Sequence, residues 1–217
     1  MSVPWTWLLI RASGITAWVL LTTVVAYGIL LRTRLLGSGV KPLALLNGHR
    51  WLGALALVFL TGHLALLLAD PYLRFTVPDL LIPFMSLWKP TEVAFGIAAV
   101  WVMAAVAVLG RLRVRLGKQG NTSFRRAHLL AYLAWPLATA HYVLAGTDAL
   151  TIWSLALLAG SATVLVFLLL ARGHVPHPSR PGSGDSRRTA HVSSPGVSPI
   201  PAGVGPLPGP VREPAEV

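Results

Sequence analysis

The sequence predicts an all-α membrane protein, a five-helix transmembrane bundle followed by a disordered C-terminal tail. Three observations carry this expectation. Hydrophobic residues make up 54% of the 217-residue chain and charged residues 12%, about half the charge of a soluble domain. Mean hydropathy is +0.67. The apolar residues also fall into uncharged runs of about 20 residues, the length a helix needs to cross a hydrocarbon core of ~30 Å.

Four such runs are plain, at roughly 12–31, 51–69, 93–110 and 149–171. The first extends back to Trp5. With no basic residue before Arg11 and no small-residue cleavage site, it reads as a retained helix rather than a signal peptide. A further run, 127–147, is interrupted by Pro136 but holds no Lys, Arg, Asp or Glu, and supplies the remaining helix. The stretch 70–92 is too short and too rich in proline to span. Its LLIPFMSLW portion is expected to lie in the interface or fold over the helix ends as a lid. Residues 1–172 form the membrane domain in this reading. Residues 173–217, rich in proline, glycine and serine, form a tail with too little apolar surface to offset its ordering entropy.

The net charge of +11 is explained by where the charges fall, not by nucleic acid. Arg32, Arg34, Lys41 and Arg50 cluster between the first two helices. Arg111, Arg113, Arg115, Lys118, Arg125 and Arg126 cluster between the third and fourth, and neither loop contains an acid. The positive-inside rule then places the N-terminus outside and the C-terminus in the cytoplasm of a bacterial inner membrane. Trp5, Trp7, Trp88 and Trp153 fall near the expected interfaces. The chain has no cysteine, which excludes disulfides, iron–sulfur clusters and covalent haem attachment. Redox chemistry would need histidine ligands and a non-covalent cofactor.

Four of the seven histidines lie in membrane segments: His49 and His63 on the second helix, His128 and His141 on the fourth. Ionisable side chains in a membrane are costly and usually functional. Fourteen helical residues rise about 21 Å and thirteen about 19.5 Å. Both helices are expected to run from the cytoplasm outward, so His49 meets His128 in the inner leaflet and His63 meets His141 in the outer. Each pair could hold one haem iron from both axial sides. The rotational test is mixed. Fourteen steps return to within about 40° of the starting face, whereas thirteen miss by about 140° on an ideal helix. Pro136 permits a bend or local rewinding between His128 and His141. Small residues precede each histidine (Gly48, Gly62, Ala127, Ala140) and would let a flat macrocycle approach. Arg50, Arg125 and Arg126 are candidates for inner haem propionates, and Arg11 and Arg74 for outer ones. Arg11, within the first helix, requires a negative partner. The tail histidines His174, His177 and His191 are isolated and are not expected to bind metal.

The segments LIRASGITAWVLL, GHRWLGALALVFLTGH and FRRAHLLAYLAWPLATAHYVLAGTD resemble the ferric reductase-like transmembrane domain. That domain is shared by NADPH oxidases, ferric reductases and the haem-bearing subunit of a bacterial methionine sulfoxide reductase system, and the segments are similar to actinobacterial members. The resemblance covers about residues 5–171. It implies that His49, His63, His128 and His141 ligate two haems b and that electrons cross from the cytoplasmic to the outer face. No G-x-G-x-x-G follows a predicted strand, so the donor is expected to be a separate cytoplasmic flavoprotein or a membrane quinol. The acceptor is expected on the outer face. The other reading is a haem-free scaffold or small transporter whose histidines bond between helices.

Overall fold

The computed structural model describes residues 5–33, 40–112, 115 and 124–173. The 174–217 part of the expected tail, with its three histidines, lies outside the described residues, as do Arg34, Arg113 and Lys118.

Every regular element among the described residues is helical, as the composition required. Helix α1 spans Trp5–Thr33 and α2 spans Pro42–Ala69. Pro42 opens α2 at a position where its missing N–H costs nothing. Asp70, extended ahead of Pro71, closes α2, because a residue before proline is pushed out of the helical region. The short α3, Val77–Leu81, lies in the connecting loop, and α4 spans Pro90–Leu112. Residues 124–127 are helical, His128–Leu130 tighten into a 3-10 turn, and α5 continues over Ala131–Ala145. Helix α6 spans Ile152–Gly173. Helices α1, α2, α4 and α6 are each long and apolar enough to cross a membrane. With the rod from 124 to 145, the chain forms a multi-pass bundle.

Helices α1 and α2 form one closely packed pair, and α4 and α5 another; α1 also packs on α5 and α6. Polar links tie α1 to α5 inside the apolar stack. Trp18 Nε1 donates to Thr139 Oγ1 at 3.0 Å, and Trp135 Nε1 donates to Thr22 Oγ1 at 2.9 Å. Trp18 also stacks on Tyr142 with ring centroids 5.3 Å apart. Tyr142 Oη bonds Ser154 Oγ at 2.7 Å, joining α5 to the fully buried Ser154 of α6. Such bonds matter where no water competes for the polar atoms. Large apolar side chains stay exposed all along α2 and α6, among them Val58, Val164, Phe167 and Leu170. That is the normal condition of a helix facing lipid and an abnormal one in water.

The loop 70–89 folds back onto the bundle. Phe75 and Leu80 are buried against Val93 and Ile97 of α4. Trp101 Nε1 of α4 donates to the Leu81 carbonyl at 3.0 Å, and Lys89 Nζ donates to the Leu144 carbonyl at 2.8 Å. The expected lid is therefore anchored to both α4 and α5.

Candidate functional site

A histidine that ligates a metal through one ring nitrogen almost always donates its other ring N–H to a fixed partner, which sets the tautomer and the ring orientation. Three of the four membrane histidines meet this condition through backbone carbonyls. His63 Nδ1 lies 2.9 Å from the Ile10 carbonyl oxygen and His49 Nδ1 lies 3.0 Å from that of Val24, both on α1. His141 Nδ1 lies 2.8 Å from the Glu92 carbonyl oxygen on α4. A carbonyl only accepts, so each Nδ1 carries the proton and each Nε2 keeps its lone pair for another partner.

The structure brings the histidines together in the two pairs that the spacing anticipated. His63 and His141 line one cavity of about 410 Å³, within the range of cofactor pockets. Its walls are otherwise mostly apolar, with Leu60, Leu64, Val100 and Met103 from α2 and α4, and Phe75 and Trp88 from the loop. His49 and His128 face each other at the opposite end, with ring centroids 6.0 Å apart and planes at 73°. Two imidazoles sharing one metal have nitrogens about 4 Å apart, given bonds of ~2 Å, so their centroids are separated by little more than the observed distance. Among the described residues no group of three or more His, Cys, Asp or Glu side chains converges. Among the described residues the four membrane histidines are set in twos.

The rotational mismatch on the second histidine helix is reduced locally. The 3-10 turn at His128–Leu130 advances about 120° per residue instead of about 100°, which cuts the mismatch from about 140° to about 80°. The rewinding begins at His128 itself. Pro136, the expected site of it, sits inside α5 without ending it. Phe124, one turn earlier, packs at 5.0 Å against the His128 ring.

Arg11 finds its negative partner in Asp148, from the turn between α5 and α6, and its guanidinium lies 4.2 Å over the Trp7 ring. Arg11 and Asp148 both border the cavity. Asp148 compensates the charge of Arg11, while the five-donor guanidinium can still serve an anionic group beside it. Arg50 is exposed one residue beyond His49, and Arg125 and Arg126 are exposed on the turn preceding His128. Arg74, in the loop, is exposed and has positive φ, 49°.

Two of the small residues that precede the histidines, Gly48 and Gly62, do not themselves face a histidine ring. A side chain at Gly62 would meet nothing within 4 Å, and one at Gly48 would meet Tyr27 at 3.0 Å. The glycines that face histidine rings stand on the neighbouring helices: Gly14 against His63, Gly28 against His49 and Gly96 against His141. Sequence reasoning missed them. The available signal was that Gly14 and Gly28 repeat the 14-residue spacing of His49 and His63.

The family described as ferric reductase like transmembrane component matches residues 13–139. The chain belongs to this family. The matched segment contains His49, His63 and His128 and stops two residues short of His141. No curated protein and no solved structure matches the chain significantly. Ferric reductase-like transmembrane domains generally bind haem, and the family points to electron transfer across a membrane. The residues present fit that group, because a donor-fixed imidazole at three of four positions, paired rings and a large apolar cavity are what a bis-histidine haem needs.

Proposed function

We propose that the protein is a b-type cytochrome with two haems that passes electrons through the membrane, from a cytoplasmic donor to an acceptor on the outer face. The observation that carries this reading is the shared arrangement of His49, His63 and His141, each with Nδ1 bonded to a carbonyl of the adjacent helix and Nε2 directed elsewhere.

When bound, haem supplies a one-electron couple at each of two depths. The chain's own residues do the rest. His63 and His141 hold the outer position and His49 and His128 the inner one. The two positions lie about 20 Å apart along the helix axes, a large part of a ~30 Å hydrocarbon core. Apolar walls keep water from the reacting centres and hold the local dielectric low, so no side chain has to reorganise as charge moves. The anchored loop covers the outer cavity. Arg11 lies where an outer propionate would emerge, and Arg50, Arg125 and Arg126 lie at the depth of the inner ones. Arg111, Arg115, Arg125 and Arg126 are exposed and give a basic face suited to docking an acidic flavoprotein. A quinol in the bilayer is the other donor this architecture admits.

The test is spectroscopic. Protein purified after haem-replete expression is expected to show the reducible Soret and α bands of low-spin bis-histidine haem, with two haems per chain. A colourless preparation sinks the proposal and leaves a membrane scaffold whose histidines serve packing.

A further inference from the structure

The three donor-fixed histidines share a feature that their own helices do not contain. Each acceptor carbonyl belongs to residue i of a helix whose residue i+4 is glycine: Ile10 with Gly14, Val24 with Gly28, and Glu92 with Gly96. In an α-helix the carbonyl of residue i already accepts from the N–H of residue i+4. The Cβ of residue i+4 tilts toward the N-terminus and so lies over that carbonyl. A glycine there removes the obstruction, and the second lone pair of the oxygen becomes reachable from outside the helix. A Cβ built at Gly96 would lie 2.8 Å from His141 Nδ1, and one at Gly14 would lie 3.0 Å from His63 Nδ1. At Gly28 the nearest atom, His49 Cε1, would be 3.5 Å away, an ordinary contact.

We infer that Gly14 and Gly96, and more weakly Gly28, are positioning residues that set the strength of the imidazole-to-carbonyl hydrogen bond and through it the reduction potential of the haem on the far side of the ring. This rests on the haem reading above. A strong bond from Nδ1–H makes the imidazole a more basic ligand, which favours the oxidised iron. A methyl group at residue i+4 pushes the ring off the carbonyl and weakens the bond, which favours the reduced iron. The potential then rises. Gly14 and Gly96 both act on the His63/His141 pair, so that pair is the one tuned from both sides.

The test compares Gly96→Ala, Gly14→Ala and Gly28→Ala with Gly62→Ala as control, since Gly62 adjoins His63 in the chain yet faces open space. Midpoint potentials are read by redox titration and ring orientation by the electron paramagnetic resonance g values of the low-spin haems, with thermal melting as a separate measure of folding. The expected result is a positive shift in the potential of one haem with a changed g value. The shift should be largest for Gly96→Ala, smaller for Gly14→Ala, slight for Gly28→Ala and absent for Gly62→Ala. Unshifted potentials in Gly14→Ala and Gly96→Ala overturn the inference, as do equal shifts in all four variants. If Gly96→Ala fails to fold, Gly14→Ala decides by the same two readouts. If both fail to fold, the glycines serve packing alone and the tuning role is lost. A wild-type protein without haem is a distinct failure, because it sinks the electron-transfer reading before any variant is compared.

Discussion

The two ends of the bundle hold histidine pairs of nearly equal spacing and build them differently. At the loop end, His63 and His141 lie on regular helix, line a cavity of about 410 Å³ and sit under an anchored loop. Both rings there are fixed by carbonyls of neighbouring helices. At the other end, His49 and His128 meet ring to ring, His128 lies in a 3-10 turn, and Arg50, Arg125 and Arg126 are exposed nearby. The difference teaches that spacing alone sets depth. The surroundings differ: one pair lines a cavity under the loop, and the other lies close to exposed arginines.

Removing single ligands breaks the comparison most directly. His63→Ala and His141→Ala are each expected to abolish the loop-end haem and halve the haem-to-protein ratio. His49→Ala should do the same at the other end, leaving a spectrum that complements theirs. Pyridine haemochrome assay checks this, and an unchanged ratio in His63→Ala removes the loop-end site. The next largest effect concerns Arg11 and Asp148, which pair at the loop end. Their side chains are 22% and 26% exposed, so truncating either should cost about 2 kcal/mol, between the exposed and buried limits. The double variant Arg11→Met/Asp148→Leu should recover much of that loss in thermal melts in detergent. Trp135→Phe removes a bond to Thr22 that joins α1 to α5 between the two ends. It should cost about 0.6 kcal/mol, typical of such bonds in membranes, and shift both haem environments little.

The smallest effect is on the loop itself. Burial disfavours the Asp70 carboxylate, but the N–H of Leu73, the Thr6 hydroxyl and the N–H of Tyr72 outweigh it and hold its pKa below the ordinary 3.8. The Thr76 hydroxyl and N–H do the same for Asp79. Carboxylates with a depressed folded pKa stabilise above their unfolded value and lose that contribution as pH falls through the folded one. Hydrogen exchange in peptides covering 70–80, corrected for intrinsic rates, should therefore rise only below about pH 4. Asp70→Asn should flatten that dependence, and no comparable change is expected at the other end.

Much of the fold was legible because hydropathy reports directly on lipid exposure. The four long helices lie where uncharged runs put them, and α2 begins earlier than its run because Pro42 can open a helix. The depth pairing of the histidines was legible because rise per residue hardly varies. Rotation was not, since the face projection assumes a constant angular step and His128 lies where that step changes. The local sequence HLLAYLAW carries no mark of a 3-10 turn. The pairing of Arg11 was legible only as a need. Asp148 lies far along the chain, and tertiary packing alone brings it there. The glycines were missed for a related reason: attention fell on Gly48 and Gly62, chain neighbours of the histidines, whereas the rings touch Gly14, Gly28 and Gly96 across helix boundaries.

Each acceptor carbonyl precedes its histidine in the chain, Ile10 and Val24 before α2 and Glu92 before α5. During synthesis the N-terminal parts emerge first, so each of these three imidazoles enters the bilayer after the helix whose carbonyl accepts its hydrogen bond. The orientation of these three rings is thus assembled in the order of translation, and no later segment has to arrive before they are fixed.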